Sequence, residues 1–194
     1  MFKKILIANR GDVALRVLRA CKEMQIPNVI VHSTADADSM PVRLADESVC
    51  IGPPSSADSY LNVAAIITAA GVTGADAIHP GVGFLAENAD FAEIVAAHGL
   101  TFIGPETRHI RSMGDKVEAK ITAAESGLPL VLGSPGAVLT LDEAKSIGGY
   151  VGYPLLVKAA SGGGGRGMKV AETADNLAEA FSSARAEAKA AFGD

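Results

Sequence analysis

The chain has 194 residues, enough to bury a sizeable core in one domain or one and a half. Apolar residues make up 48% of it and the net charge is −5 with no basic run, which excludes a disordered chain and argues against a nucleic-acid partner. No apolar run reaches membrane-spanning length, and the short run 5–8 behind Lys3-Lys4 is ended by Asn9-Arg10-Gly11 before it could be a signal peptide. Cys21 and Cys50 have no metal-ligand spacing, so a reducing, cytoplasmic location with free thiols is expected.

Residues 3–9 read as a buried strand, Gly11 as a turn, and 12–25 as a helix stopped by Pro27. That helix would turn Val13, Leu15, Val17, Leu18, Cys21 and Met24 inward, and Arg16, Arg19 and Glu23 onto one outward face. Strands follow at 28–33, 48–52, 77–79 and 100–103. Between them lie a helix over 60–70, opened by Asp58 or Ser59 and closed by Gly71, and one from Asn88 to Ala97, closed by Gly99. Strands alternating with helices predict a parallel, doubly wound α/β sheet. The character changes near 105–115. A helical turn at 107–113 and a helix over 116–126 come next; a capping box at Thr140-Leu-Asp-Glu143 then opens a helix ended by Gly148-Gly149. A strand, a glycine loop and a strand follow. Last is a helix over 173–192 with Leu177, Ala180, Phe181, Ala184 and Ala188 on one stripe and Gly193 as its cap.

The loop holds the chemistry. Lys158 stands at the exit of Leu155-Leu156-Val157, and Gly162 to Gly165, Arg166 and Gly167 lead into Met168-Lys169-Val170. Bare N–H groups of consecutive glycines can line an anion nest, and a lysine beside them supplies a compact positive charge, so the pattern points to bound phosphate. A mobile hairpin tip is the plainer alternative. It is not a Walker loop, because Gly-x-x-x-x-Gly-Lys-Ser/Thr is absent and a strand follows. Asn9-Arg10-Gly11 sits where a Rossmann enzyme holds a dinucleotide but lacks the fingerprint, and reads as a structural turn. Gly81-Val-Gly-Phe-Leu-Ala86 matches Gly-x-Gly-x-x-Ala, yet the next helix opens only at Asn88, too late to bring its N-terminus to the glycines. His79 reads as structural, and Glu87 is open between a site contact and a charge near a helix start.

The segment from Lys158 to Met168 resembles the ATP-covering loop of biotin carboxylases, in the ATP-grasp superfamily. Ile7-Ala-Asn-Arg-Gly11, Ala77-Ile-His-Pro-Gly81 with Gly83-Phe-Leu85, and Met113-Gly-Asp-Lys116 agree with it in order, so the resemblance runs from Phe2 to Gly193. It implies a Rossmann-like domain over 1–112, followed over 113–194 by a linker helix and the small lobe of an incomplete ATP-grasp domain. It implies that Lys116, Lys158, Gly163, Gly164 and Gly165 bind nucleotide and that Met168 lies near the adenine. The segment 81–86 would line the cleft near biotin, with Val82 where the family typically has Tyr. The implied activity is ATP- and bicarbonate-dependent carboxylation of biotin on a carrier protein, in an acetyl-CoA, propionyl-CoA or pyruvate carboxylase with a carboxyltransferase component. The implied assembly is a homodimer whose contact includes Arg16, Arg19 and Glu23. The family's catalytic residues and its magnesium-holding glutamates have no match in this sequence. The 194 residues are therefore expected to be an N-terminal fragment, inactive alone. Another ATP-grasp ligase, or a non-catalytic nucleotide-binding module, would share the glycine loop; the His79-Pro-Gly segment favours biotin carboxylase.

Overall fold

The computed structural model describes residues 1–159 and 167–192. They fall into two units, Met1–Arg111 and Ser112–Asp194.

The first unit opens with β1 (Ile5–Ile7), α1 (Gly11–Glu23), β2 (Asn28–Ser33), a 3-10 turn at Thr34–Asp36, α2 (Met40–Leu44) and β3 (Glu47–Gly52). It continues with α3 (Val63–Thr73), β4 (Ala77–His79), α4 (Ala89–Ala97), β5 (Thr101–Phe102) and the start of α5 (Thr107–Gly114). The five strands form one parallel sheet in the order β3-β2-β1-β4-β5. Successive strand residues point to opposite faces, and here both faces are covered. Ile5, Ile7, Ile30 and Ala77 pack with Ala14, Leu18 and Cys21 of α1. Leu6, Val29, Val31 and Ile78 pack with Ile66, Ala69 and Ala70 of α3 and Phe91 and Val95 of α4. Hence the central strand β1 and the Val29–Val31 stretch of β2 are apolar at every position rather than at alternate ones.

The predicted parallel sheet and its neighbouring strands are present, with several boundaries moved. Helix α1 stops at Glu23, before Pro27, because Gln25 takes a left-handed φ of 57° and the N–H of Ile26 reaches the Cys21 carbonyl at 2.9 Å. Met24 is consequently 56% exposed, not inward, and Ala14 takes the buried place. Helix α3 begins after Tyr60: Asn62, not Asp58 or Ser59, caps it by accepting the Ala65 N–H. It runs through Gly71 to a left-handed Gly74. Asn88 caps α4 as expected, accepting from Phe91.

The second unit contains α6 (Lys116–Glu125), α7 (Leu141–Val151), β6 (Leu155–Lys158), β7 (Met168–Ala171) and α8 (Leu177–Phe192). Thr140 and Glu143 form the capping box at the start of α7, each side chain bonding the other's backbone N–H. Gly148-Gly149 does not end this helix, which continues to Val151. Gly148 is instead a packing residue, since a Cβ there would run into the Tyr153 hydroxyl. Strands β6 and β7 pair antiparallel, and Leu155 and Val157 pack on Ala144, Ala171, Leu177 and Ala180. Helix α8 starts four residues later than predicted, after Asn176 has accepted the Thr173 N–H in a local turn. Its Leu177, Ala180, Ala184 and Ala188 are buried as the stripe predicted. Gly193 lies outside the described residues.

Candidate functional site

In the second unit the hairpin has one covered and one open face. The register pairs Leu156 with Val170 and Lys158 with Met168, so these four residues share the face opposite Leu155 and Val157. Leu156, Met168 and Val170 are 47%, 40% and 53% exposed, an unusual exposure for three apolar residues in register. Lys158 closes the row at the loop end. The other lysine of the hairpin, Lys169, lies on the opposite face and pairs with Glu187 at 3.0 Å. Among the described residues Lys158 has no such acidic partner. At the base of the loop the Ala159 N–H reaches the Gly167 carbonyl at 2.9 Å, and Gly167 is left-handed at φ 66°. Gly163, Gly164 and Gly165, expected to cover phosphate, lie outside the described residues, as does Arg166. A flat apolar strip ending in a cation can take a planar heterocycle against the strip and an anionic tail at the lysine.

Lys116 opens α6, where the helix dipole disfavours a cation. The structure supplies the compensating charge: Asp115 caps the helix by accepting the N–H groups of Val117 and Glu118 at 2.7 and 3.0 Å. Those bonds, that of Glu118 foremost, hold the Asp115 carboxyl below the usual carboxylate range. A phosphate is thus not needed to explain Lys116. The strand register brings Lys158 and Met168 together across the hairpin, and Lys116 stands at the start of α6. The sequence reading missed Leu156 and Val170. Leu155-Leu156-Val157 is uniformly apolar, so only the pairing register separates the covered side from the open one.

In the first unit the strand order turns between β1 and β4, and polar groups gather at those strand ends. Asn9 is 2% exposed; its Nδ2 donates to the carbonyls of Pro80 and Val82 at 2.8 and 2.9 Å. Nδ1 of His79 accepts the Gly81 N–H at 3.0 Å, and burial pushes the His79 pKa down, so the ring is neutral with its proton on Nε2. This is the structural role expected of it. Beside them the Tyr60 hydroxyl accepts the Ser33 N–H at 3.0 Å and donates to Asp36 Oδ2 at 2.7 Å. Asp36 also accepts from Ser33 Oγ and pairs with Arg10 at 2.7 Å. The Tyr60 ring stacks on Phe84 with centroids 5.0 Å apart. The helix that follows Gly81 and Gly83 in the chain, α4, begins only at Ala89, while the first turn of α1 packs on Gly81 through Val13.

Residues 1–110 match the family described as biotin carboxylase, N-terminal domain, more than half of the chain. The chain belongs to the biotin carboxylase family. Residues 115–194 match the ATP-binding domain of the carbamoyl-phosphate synthase L chain. The whole chain aligns with the biotin carboxylase of Haemophilus influenzae at 57% identity, covering 44% of that protein. It aligns with the mitochondrial propionyl-CoA carboxylase alpha chain of Sus scrofa at 48% identity, covering 26% of it. Among solved structures, the biotin carboxylase–β,γ-ATP complex of Campylobacter jejuni overlays the whole chain with a TM-score of 0.96 at 49% identity, over 44% of that chain. The biotin carboxylase domain dimer of Hydrogenobacter thermophilus 2-oxoglutarate carboxylase, solved with MgADP, ADP and bicarbonate, gives 0.91 at 44% identity, over 42% of that chain. The chain thus spans under half the length of these biotin carboxylase relatives. Among the described residues no three His, Cys, Asp or Glu side chains gather as a metal site, and no helix is long and apolar enough to cross a membrane.

Proposed function

We propose that this chain is the nucleotide-covering portion of a biotin carboxylase, which uses ATP and bicarbonate to carboxylate biotin on a carrier protein and works with a carboxyltransferase component. The observation that carries it is the open hairpin face, with Leu156, Met168 and Val170 in one apolar strip and Lys158 at its loop end. The strip takes the adenine and Lys158 meets a phosphate oxygen. Gly163, Gly164 and Gly165 cover the phosphates through backbone N–H groups, and Lys116 adds charge to the same nucleotide. The C. jejuni relative solved as a β,γ-ATP complex supports this assignment.

Magnesium, if bound, would supply charge neutralisation for the triphosphate. The described residues do not form its ligand set, and we assign that set to the portion of the family this chain does not span. On this reading the two units are the Rossmann-like N-terminal domain and an incomplete ATP-grasp small lobe, and the 194 residues alone do not turn over ATP. The complete protein is a dimer in the cytoplasm whose contact uses the exposed α1 residues Arg16, Arg19 and Glu23; the H. thermophilus domain, solved as a dimer, supports the dimeric state. The carbamoyl-phosphate synthase match over 115–194 keeps a different ATP-grasp ligase as the second reading.

The test is calorimetry of ATP binding to the complete protein. Lys158→Gln keeps much of the side-chain length and removes the charge. A charge-assisted contact contributes about 1.5–3 kcal/mol, so affinity should fall roughly ten- to a hundredfold. Leu156→Asp should also weaken ATP by spoiling the strip. Unchanged affinity in both variants would return the hairpin to a structural role, and carbamate rather than carboxybiotin as product would favour the second reading.

A further inference from the structure

We propose that Asn9 is a positioning residue, which fixes the path of the loop Gly81–Phe84 and so the surface the first unit presents where its strand order turns. In open parallel sheets ligands bind outside the carboxyl ends of the strands at that turning point. Here the point lies between β1 and β4, and the Asn9 carboxamide occupies it. Both amide hydrogens go to one loop, to the carbonyls of Pro80 and Val82, while Oδ1 accepts the N–H of Arg10 at 2.9 Å. A carboxamide at the end of an all-apolar strand is costly to bury unless each of these bonds is made.

The loop needs such a clamp. Gly81, Gly83 and Phe84 are left-handed, at φ 69°, 72° and 44°. For Phe84 that conformation is strained and persists only because the surroundings enforce it. A Cβ on Gly81 would stand 2.6 Å from Asn9 Nδ2 and 2.7 Å from Val13 Cγ1, so loop and carboxamide are fitted to each other. The outer anchor is the Phe84 stack on Tyr60. Held at both ends, the loop raises Val82 to its tip, 73% exposed. Where a Rossmann domain holds a dinucleotide, the Asn9 carboxamide is bonded to this loop, and the loop tip is the exposed surface. Resting on the biotin carboxylase reading, the nucleotide belongs to the hairpin face of the other unit. The resemblance implies that the segment 81–86 lines the cleft near biotin, so the tip that Asn9 holds in place would face the uncharged cyclic urea that accepts the carboxyl.

Asn9→Asp tests this, being nearly isosteric while replacing two donors with a carboxylate facing two carbonyls; Gly81→Ala perturbs the same fit from the loop side. In the complete protein, with free biotin as acceptor, both variants should raise the KM for biotin by about tenfold or more. Bicarbonate-dependent ATP hydrolysis without biotin should stay within about twofold, and amide exchange should accelerate at residues 81–84 but not in β2. ATP hydrolysis and biotin kinetics falling together, or loop exchange equal to the parent's, would overturn the assignment. If the parent protein shows no biotin-dependent turnover, the biotin carboxylase reading fails by itself. Exchange at 81–84 then decides alone: faster in Asn9→Asp supports the positioning role, unchanged overturns it.

Discussion

Replacing Tyr60 by Phe removes one oxygen and leaves the ring. Tyr60 is 1% exposed and so is Ser33, whose N–H the phenol oxygen accepts at 3.0 Å. Without that acceptor a buried donor is orphaned, at about 1–3 kcal/mol. The same hydroxyl donates to Asp36 at 2.7 Å, a bond to a charged group of about 1.5–3 kcal/mol, partly offset because Asp36 keeps Ser33 Oγ and Arg10. The ring keeps its stack on Phe84, so little apolar burial is lost. The net expectation is a loss of about 2–4 kcal/mol from the first unit. Exchange of the Val29 to Val31 amides in β2, through global opening, should accelerate roughly thirty- to a thousandfold at neutral pH. The penalty is also pH-dependent. Burial pushes the Asp36 carboxyl up, but hydrogen bonds from Tyr60 and Ser33 and the Arg10 charge outweigh it and leave it below the ordinary range. An unfolded Asp titrates near about 3.9, so this stabilisation is present above that pH and is lost as pH falls through the lower folded value. Losing one donor moves the variant's folded value back toward ordinary, so parent and variant should converge in acid. Acceleration under about threefold at neutral pH would refute the cluster's place in stability.

Other outcomes follow from the same geometry. His79 is depressed by burial, so below about pH 6.5 the unfolded chain binds a proton the folded chain resists, and stability falls with pH until the folded value is reached. Protonation also removes the acceptor for the Gly81 N–H, so loop exchange, corrected for intrinsic rate, should rise from pH 7.5 to 5.5 and lose that dependence in His79→Gln. Arg19→Glu reverses a charge on the exposed face of α1 and should shift the complete protein from dimer toward monomer in sedimentation; an unchanged coefficient would remove α1 from the contact. Brief alkylation should label exposed Cys50 and spare Cys21, which is buried and whose thiol burial and the nearby Asp46 push up.

The parallel sheet was readable because its central strands are short apolar runs closed by Gly, Pro or a polar cap, and Asn88 and Thr140 fall where a cap must. Boundaries slipped where another force acts. Gln25 turns left-handed without being glycine, and Gly148 serves close packing rather than a helix stop. At the hairpin the place of Lys158 at the strand exit was legible by residue type, whereas Leu156 and Val170 needed the register, a long-range property no local pattern contains. The Asp36–Tyr60–Arg10 cluster joins positions far apart in the chain, and nothing local marks them as partners.

The two-sided burial of the sheet has a consequence for how its strands find their alignment. In a sheet with one wet face, a one-residue slip exposes every apolar side chain and is forbidden by that alone. Ile5-Leu6-Ile7-Ala8 is apolar toward both helix layers, so slipping β1 against β4 would cost little hydrophobic burial. The alignment is fixed instead by polar fastenings at the two ends of this strand pair. At the entry the Asp76 carboxylate accepts the N–H groups of Lys3 and Lys4 at 2.9 to 3.0 Å. At the exit Asn9 grips Pro80 and Val82. The apolar residues supply cohesion without direction, and an aspartate and an asparagine tell the strands where to stop.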